Sequence, residues 1–431
     1  MNAVIVSVLV MIVLSLLRVN VIFALIVSSL VAGMIAGIPI TEATEIMIQG
    51  MGGQSGTALS YVLLGMFAVM ISLSGIMTLL VGWLQRVFRG KRLGLVLILA
   101  VIASLSQNAV PVHIAFIPIL IPPLLKLFNE MKIDRRAVAS ALTFGLKFPY
   151  ITIPFGFGLI YQNIIRDEMT ASGMEISLSE VTKAMMFPGA AMIIGLLFAI
   201  FVSYRKPKEP RTPLYEVKEK EAVTTFTTYH FITLLAIIVA VGMQVYFQSL
   251  VLSALAGIFI MFAGRVVPTK QGDAIVQEGI SMMGFIAFIM LIASGYANVL
   301  KETGHIDSLV ENTLAFTGDS VFVVALVLLL VGLVITLGIG SSFGTIPILA
   351  ALYVPVFITL GVSPLAAAAL IGTAAALGDA GSPASDSTLG PTAGLNADGT
   401  HHHIWDTCVP TFLHYNIPLF AFGLLAAVVL A

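Results

Sequence analysis

Two carboxylates and one ammonium group stand out because they lie in otherwise apolar parts of the chain. Asp379 and Asp386 belong to the run GDAGSPASDSTLGPT at 378–392, and Lys147 lies within an apolar stretch over 137–165. A charge near the centre of a bilayer costs about 2.5–3.5 kcal/mol even on the lenient insertion scale, so it normally faces a partner or a water-filled cavity. We therefore expect these three side chains to form an ion or substrate site, or a structural ion pair.

The surroundings of Asp379 are typical of a small-cation site. Gly378, Gly381 and Pro383 interrupt helical hydrogen bonding and free backbone carbonyls to face a ligand. Nearby hydroxyls add hard oxygens that suit Na⁺; they belong to Ser382, Ser385, Ser387 and Thr388. Asp379 could therefore bind Na⁺, carry a proton, or only cap a half-helix or pair with Lys147. Asp386 could equally be a helix cap, and Lys147 could be the counter-cation of Asp379 or could snorkel along its helix.

Two polar clusters interrupt other apolar stretches, SLSQNAVP at 104–111 and GIGSSFGT at 338–345. Irregular backbone at membrane depth survives only inside protein or beside water, so the stretches 94–125 and 320–361 are each predicted to form a re-entrant helical hairpin. N-termini of half-helices at the tips would favour an anion such as a carboxylate, whereas small residues there would also permit close helix packing. The tip residues are Ser104, Ser106, Gln107 and Asn108 in one half and Ser341, Ser342 and Thr345 in the other, with His113 beyond the first tip as a ligand, a proton group or a packing histidine.

Metal and catalytic chemistry are not indicated. The adjacent His401, His402 and His403 cannot all point at one ion from a helix, so no metal site is expected there. Cys408 is the only cysteine, which excludes an intrachain disulfide and a cysteine-based redox centre. No His–Asp pair is spaced to serve a nucleophilic serine, so no enzyme activity is predicted. We expect no cofactor, with Na⁺ or H⁺ as coupling ion.

The amino-acid composition indicates what kind of protein carries these charged and polar residues. Of 431 residues, 58% are hydrophobic and 10% charged, and the mean hydropathy is +1.05; globular proteins have roughly 45–50% and about 25%. So little polar surface excludes a soluble enzyme and predicts an all-α polytopic protein whose solvent is the lipid bilayer. The net charge of -1, without a basic block, indicates no nucleic-acid partner.

Apolar segments long enough to cross a bilayer predict the layout of the chain. The segments lie near 3–17, 20–38, 57–85, 137–165, 184–204, 229–247, 249–267, 283–300, 365–392 and 409–431. With the N-terminus outside, 17 of the 21 Lys and Arg fall on the cytoplasmic side, as the positive-inside rule requires. We therefore predict an inner (plasma) membrane protein with both termini outside.

A charged linker divides the chain into two membrane repeats. The stretch 205–221 carries 10 of the 43 charged residues, which predicts a cytoplasmic linker over 205–228. The N-terminal repeat is then 1–204 and the C-terminal repeat 229–431.

The two repeats share short motifs at a spacing of 229 residues. Pro154 corresponds to Pro383, and Ile117-Pro118-Ile119 corresponds to Ile346-Pro347-Ile348. Each half has five spans and one hairpin, so the second half is inverted relative to the first. Inverted repeats with broken helices at the midplane are the architecture of alternating-access secondary transporters.

Two motifs carry a resemblance to a known family. GSSFGT at 340–345 and GDAGSPASDSTLGPT at 378–392 resemble the GTSWGT and GD-x-x-SP-x-SD-[ST]-T signatures of NhaC-like Na⁺/H⁺ antiporter-family proteins of the ion-transporter superfamily. With WDTCVPTFLHYNIP at 405–418, the chain looks similar to a subgroup that also includes amino-acid permeases, histidine uptake among their activities. Phe343 stands where the related motif has Trp, and Leu389-Gly390-Pro391 replaces a branched apolar run, so the substrate cannot be inherited.

The resemblance implies roles for individual residues. Gly344 and Thr345 would line one ligand-facing tip, and the ion or substrate site would be lined by Asp379, Ser382, Asp386 and Thr388. The resemblance also implies a homodimer whose transport domain moves as an elevator.

Three classes of function compete: a transporter of small organic solutes, a Na⁺/H⁺ antiporter, and a channel or membrane enzyme. Paired hairpins and an inverted repeat favour transport over the last class. The polar tips offer donors and acceptors for the carboxylate and ammonium of an amino acid, whereas a pure cation exchanger needs fewer donors. The sequence therefore favours amino-acid transport coupled to Na⁺ or H⁺, with the antiporter as the alternative.

Overall fold

The structure is a computed structural model, and it describes most of the chain. The described residues are 2–17, 19–108, 117, 120–214, 225–247, 249–305, 308, 311, 315, 320–383 and 385–430. Within these ranges all regular secondary structure is helical. The prediction of an all-α protein is confirmed for this part of the chain.

The helices follow one another along the chain with short connections. The first half contains α1 (Ala3–Leu16), α2 (Val21–Ile35), α3 (Ile40–Gly52), α4 (Ser55–Leu73), α5 (Ile76–Val87), α6 (Arg92–Asn108), α7 (Leu125–Glu130), α8 (Arg135–Thr152), α9 (Phe157–Ala171), α10 (Leu178–Ala184) and α11 (Met186–Phe198). The second half contains α12 (Thr228–Phe247), α13 (Leu250–Ala263), α14 (Gly272–Glu302), α15 (Val321–Ile339), α16 (Ser342–Thr359), α17 (Pro364–Ala376), α18 (Asp386–Leu395) and α19 (Ile417–Val429). π-Helical turns extend α11 to Ser203 and precede α19 at His403–Cys408 and Phe412–Asn416.

Six helical segments of the described chain are long and apolar enough to cross a membrane, or seven if one bent pair counts as a single span. They are Ser55–Leu73, Leu178–Ser203, Thr228–Phe247, Thr269–Glu302, Ser342–Thr359 and His403–Val429, with the bent pair α8 and α9 as the seventh. Further helices of 10–17 residues are apolar but shorter. The chain is therefore a polytopic membrane protein, as its composition predicts.

One predicted span is divided. The sequence predicts a single helix over 57–85, but α4 ends at Leu73 and α5 begins at Ile76. Gly75 between them has φ of +79°, a left-handed conformation that a helix cannot continue through. The hydropathy of the stretch is uninterrupted, so the division depends on the local backbone at this glycine.

The helices pack in two groups that each combine both halves of the chain. In the first group, the 31-residue α14 packs along α2, α3 and α4, and α12 and α13 pack together beside α4. In the second group, α8 packs against α6, α11 and α18, while α17 packs against α15, α16 and α19. The main contact between the groups is that of α14 with α16. Gly344 of α16 lies there, and an added Cβ would come within 2.8 Å of Ile289 in α14.

Helices α15 and α16 form an antiparallel hairpin. Gly340 at the tip has φ of +71°, and Ser341 caps α16 through a side-chain bond to the Gly344 amide. The Tyr353 hydroxyl of α16 donates to the Leu328 carbonyl of α15. The two residues lie almost equally far along the chain from the tip at Gly340, as expected for antiparallel helices. The predicted hairpin over 320–361 is therefore observed, but α16 has the length of a full span, so its re-entrant character stays a prediction.

The hairpin predicted over 94–125 lies only partly within the described residues. Its first arm is α6, which ends at Asn108. Residues 109–116, 118 and 119 lie outside the described part, and with them His113 and the residues Pro118 and Ile119 of the repeated motif. The second arm of this hairpin stays a prediction.

Candidate functional site

Asp379 lies in a non-helical segment between α17 and α18. Leu377 adopts an extended conformation, and Gly378 and Gly381 have φ of +80° and +110°. The side chain of Asn416 supports this segment because it accepts from the Gly378 amide at 2.9 Å and donates to the Ala380 carbonyl at 2.7 Å. The helix therefore stops where the glycines predict, and two of the freed backbone groups are satisfied by one amide side chain.

The Asp379 carboxylate is surrounded by donors. Its Oδ2 atom contacts the Lys147 ammonium and accepts from the Ser342 amide at 3.0 Å, from the Ser342 hydroxyl and from the Tyr150 hydroxyl at 3.3 Å. Its Oδ1 atom accepts from the Ser385 hydroxyl. These contacts use both oxygens, so the carboxylate is held by the protein itself.

Lys147 completes a buried ion pair. Its side chain is 5% exposed and that of Asp379 is 4% exposed, and the ammonium also donates to the Tyr150 hydroxyl at 2.9 Å. Removal of one partner from a buried pair typically costs about 3–5 kcal/mol because the other charge stays behind without compensation. The structure thus places Lys147 as the charge partner of Asp379, one of the two roles that the sequence leaves open.

Asp386 is the first residue of α18, next to the capping residue Ser385. A carboxylate in the first turn interacts favourably with the helix dipole, but the cap is Ser385, whose hydroxyl accepts from the Ser387 amide, so Asp386 does not have the capping role that the sequence suggests. The side chain also lines the same cavity as Asp379 and Lys147; it accepts no hydrogen bond from the described residues, but the Lys147 ammonium attracts it electrostatically. Among the described residues, Asp386 therefore accepts fewer hydrogen bonds than Asp379.

A small cavity of about 30 Å³ joins these groups. Its lining consists of Tyr61, Gln107, Leu146, Lys147, Tyr150, Phe157, Gly340, Ser341, Phe343, Asp379, Ser385, Asp386 and Ser387. A cavity of this size holds about one water-sized particle, whereas pockets for organic ligands measure roughly 300–1,000 Å³. The observed conformation therefore has room for an ion or a water molecule and not for an amino acid.

Aromatic rings close one side of the cavity. Phe343 is the centre of this aromatic wall, with ring centroids 4.9 Å from Tyr150, 5.4 Å from Tyr161 and 5.8 Å from Tyr61. Tyr61 also contacts Phe157 at 5.2 Å. A larger ligand could enter the cavity only if this wall moved.

Only the residues up to Asn108 of the first tip are described. Asn108 is not at the N-terminus of a half-helix; it is the last residue of α6, and its amide donates to the Pro149 and Ile153 carbonyls at 3.0 and 3.4 Å. Ser104 and Ser106 lie inside α6, where their hydroxyls donate to the carbonyls of Ala100 and Ala103. Serine can satisfy its hydroxyl on the preceding turn and remain helical, so these two residues belong to the first arm of the predicted hairpin. Of these residues, Gln107 lines the cavity.

The second tip is closer to the prediction. Ser341 lines the cavity, and the backbone and side chain of Ser342 both donate to Asp379. Thr345 donates back to the Ser341 carbonyl and Gly344 permits the close approach of α14, so neither lines the cavity. The N-terminus of α16 therefore binds a carboxylate, but this carboxylate is Asp379 of the protein.

Ser382 and Thr388 hold the non-helical segment in place. The Thr388 hydroxyl donates to the Ser382 carbonyl at 2.5 Å and to the Ser385 carbonyl at 2.9 Å, and the Ser382 hydroxyl donates to Leu337 in α15 at 3.2 Å. Neither side chain belongs to the cavity lining. Both residues are thus brought to the site, where they stabilise its backbone.

A second charged cluster lies at the far end of α8. Arg135 makes a two-pronged bond to Asp398 at 2.8 and 2.6 Å and also donates to the Leu395 carbonyl. Burial raises the pKa of the Asp398 carboxyl, but bonds from Arg135 and Thr400 outweigh it and hold the pKa below its usual range. Burial lowers the pKa of His401 to about 4, so this imidazole is neutral at neutral pH. No group of three potential metal ligands converges among the residues that the structure describes.

Sequence reasoning missed the aromatic residues of the site. Tyr150 carries a signal in retrospect, since it lies 229 residues before Asp379, at the spacing of the repeated motifs. Phe343 lies in the GSSFGT motif, where the related motif has Trp, whereas Tyr61 and Phe157 are ordinary residues of apolar stretches. No pattern in the sequence distinguishes Tyr61 and Phe157 from lipid-facing aromatics.

Comparisons with known proteins agree with a membrane transporter. Residues 141–424 match the Na⁺/H⁺ antiporter family, and residues 2–88 match a second family described as Na⁺-H⁺ antiporter family. The chain is 49% identical over 448 residues to an uncharacterised membrane protein of Vibrio parahaemolyticus, with 100% of both chains covered. It is 46% identical over 445 residues to a Bacillus subtilis protein named "Putative amino acid transporter YuiF", again with 100% of both covered.

A solved structure shows a similar fold. The YdaH transporter of Alcanivorax borkumensis, whose crystal structure was described as having an unusual topology, superposes with a TM-score of 0.61 at 15% identity. The superposition covers 89% of this chain and 86% of that chain. At this identity the likeness concerns the fold alone.

Fold and relatives together define a polytopic membrane transporter and not an enzyme. The chain belongs to the Na⁺/H⁺ antiporter family. The resemblance read from the two motifs in the C-terminal half is therefore confirmed.

Proposed function

We propose that this protein is a secondary active transporter of a small amino-acid-like solute, coupled to Na⁺ or H⁺. The observation that carries the proposal is that Lys147, Asp379 and Asp386 share one buried cavity. A charge buried in a membrane protein is expensive, and three of them in one cavity are typical of a pathway for ions or charged substrates.

The charges of the cavity define what it can bind. With all three groups ionised, Lys147 balances Asp379 and the negative charge of Asp386 remains. A monovalent cation, a proton or the ammonium of a substrate would neutralise it. Because the same carboxylate would bind either a proton or a cation, the two compete, and this competition is the basis for coupling transport to an ion gradient.

Different observations favour different transported species, an amino acid or only Na⁺ and H⁺. The name of the Bacillus subtilis relative supports an amino acid, and the hydroxyls and backbone groups around the cavity can serve both ends of a zwitterion. Histidine is the first candidate, from the resemblance of the sequence alone. The volume of about 30 Å³ and the family name instead support a Na⁺/H⁺ antiporter, which we retain as the alternative.

Alternating access by an elevator movement would use the two helix groups as the moving and the fixed body. The proposal is supported by two breaks between helices, at 153–156 and at 377–385. Adding the repeat spacing of 229 to the residue numbers of the first break gives positions within the second, so the two halves are interrupted at corresponding places. The proposal is also supported by the bend of 49° between α8 and α9. We accordingly propose inverted repeats over 1–204 and 229–431, broken helices at the midplane and a homodimeric assembly.

Transport by reconstituted protein tests the proposal. Proteoliposomes are loaded with each of the twenty amino acids in turn, and counterflow of the labelled compound is measured with and without Na⁺ and pH gradients. Asp386→Asn should abolish gradient-driven accumulation, while Asp273→Asn, which changes an exposed carboxylate at the start of α14, should not.

Accumulation by Asp386→Asn at the wild-type level would contradict the role of the cavity. Proton movement driven by Na⁺ without counterflow of any amino acid would instead establish the antiporter.

A further inference from the structure

The hydroxyl of Tyr61 is an exception among the buried tyrosines. Tyr61 lies in α4, is 1% exposed and has no hydrogen-bond partner for its hydroxyl among the described residues. Each of the other fully buried tyrosines is hydrogen-bonded: Tyr150 to Ser342, Tyr161 to Gly372, Tyr296 to Ser7, Tyr353 to Leu328 and Tyr415 to Ser140. An unsatisfied buried polar group costs about 1–3 kcal/mol, so this exception needs an explanation.

The position of Tyr61 supplies the explanation. It lines the cavity next to Asp386, the carboxylate that also lacks a hydrogen-bond partner among the described residues. The other lining residues belong to the helix group of α6, α8, α9 and α15–α18, whereas Tyr61 comes from the group that contains α14. On each side of this boundary the cavity therefore has one polar group that makes no hydrogen bond to the described residues: the Tyr61 hydroxyl and the Asp386 carboxylate.

We propose that, once the aromatic wall has moved and the cavity has widened, the Tyr61 hydroxyl donates a hydrogen bond to the carboxylate of the transported solute while Asp386 binds its ammonium. This assignment rests on the proposed function and identifies the substrate class more closely as a zwitterion. An α-amino acid satisfies both groups at once, because its carboxylate accepts from the Tyr61 phenol and its ammonium pairs with the Asp386 carboxylate. A bare monovalent cation pairs Asp386 and places no acceptor against the phenol. Bound solute then bridges the two helix groups, because each end is held by a different group.

The unliganded protein provides a first test that does not depend on the solute. Tyr61→Phe removes a hydroxyl that has no hydrogen-bond partner in the described part of the chain, so its thermal unfolding midpoint in detergent should equal or exceed that of the wild type. The matched control is Tyr296→Phe, which removes a hydroxyl that donates to Ser7 at 2.9 Å and should lower the midpoint. A clear loss of stability in Tyr61→Phe would show that the hydroxyl has a structural partner and would overturn the proposal.

Ligand binding provides the second test. The dissociation constants of the twenty amino acids are measured with the wild type, and the tightest compound and its decarboxylated amine are then measured with both variants. Tyr61→Phe should raise the dissociation constant of the amino acid by about 10- to 100-fold, the range for a hydrogen bond to a charged group, and leave that of the amine unchanged. Tyr296→Phe should change neither constant.

The outcomes separate this assignment from the proposed function. Equal losses for amino acid and amine, or no loss for either, would overturn the role of Tyr61 while amino-acid binding stands. Failure of the wild type to bind any amino acid would refute the proposed function itself, and the assignment with it.

Discussion

The charge pair of Lys147 and Asp379 is the residue-scale feature on which the site depends. Sequence reasoning identified both residues from their depth in apolar stretches and suggested that they could pair. It placed the Ser385 hydroxyl near Asp379, but it could not show that Ser342 and Tyr150 also bind this carboxylate, because they come from distant parts of the chain. Among the described residues, Asp386 consequently accepts fewer hydrogen bonds than Asp379 and is the carboxylate more open to a ligand.

The order of stabilities of three variants tests this arrangement of charges. Lys147→Met leaves two carboxylates in the cavity without a cation, so it should destabilise the protein by about 3–5 kcal/mol. Asp379→Asn leaves Lys147 with Asp386 and should cost less. The double variant Lys147→Met/Asp379→Asn should be more stable than Lys147→Met alone, measured by thermal unfolding in detergent at neutral pH.

Coupling between the two changes is the informative quantity. Effects that simply add in the double variant would mean that the two charges do not interact, contrary to their contact in the structure. An Asp379→Asn variant less stable than Lys147→Met would argue against Asp386 as the second carboxylate of the cavity.

At the scale of elements, the non-helical segment between α17 and α18 explains how Asp379 is presented. Its glycines could be recognised in the sequence, and the break occurs where they predict it. Asn416 stands out in the sequence as a polar residue within the last apolar stretch, but its contact with this segment and that of Phe412 could not be recognised, because both come from the last helical segment. The first tip stays a prediction because 109–116 lie outside the described residues; within α6, Ser104 and Ser106 satisfy their hydroxyls on the preceding turn.

Gly381 is the position where this segment should tolerate change least. Its φ is +110°, and an added Cβ would lie 2.5–2.8 Å from Phe412 atoms, two of them backbone atoms. Gly381→Ala should therefore destabilise the protein by at least about 2 kcal/mol, since both conformational strain and overlap oppose it. Gly242→Ala in α12 is the control: no atom lies within 4 Å of the added Cβ, and alanine favours helix by up to about 1 kcal/mol.

Thermal unfolding of both variants in detergent gives the comparison. Similar midpoints for the alanine variants of Gly381 and Gly242 would mean that the segment adapts its backbone freely. The structural argument for a fixed carboxylate at Asp379 would then fail.

At the scale of the whole molecule, hydropathy is sufficient to predict a helical membrane protein, because no other fold buries backbone polar groups in lipid with this composition. The grouping of helices is not predictable in the same way. Helix α14 from the second half packs along α2, α3 and α4 from the first, and α18 packs against α8. Such helix pairings depend on the shapes of the helix surfaces, which a single sequence does not reveal. The orientation of the chain in the membrane, in contrast, can be predicted from the distribution of charged residues.

The orientation follows from the distribution of Lys and Arg and can be tested at two exposed positions. We expect the linker over 205–228 in the cytoplasm and the connection over 166–183 outside. Lys206 and Glu175 are exposed, and Cys408 is buried, so Lys206→Cys and Glu175→Cys in a Cys408→Ser background present one accessible thiol each. Ser172 is less suitable because its hydroxyl oxygen is buried.

An impermeant maleimide applied to intact cells should label Glu175→Cys at once and Lys206→Cys only after the membrane is permeabilised. Equal labelling of both variants after permeabilisation shows that the two thiols are equally reactive, so the difference in intact cells reports orientation alone. The reverse pattern would place 17 of the 21 cationic side chains outside, against the positive-inside rule. It would also reverse the membrane orientation of both proposed repeats, so that the hairpin α15–α16 would enter from the opposite side of the membrane.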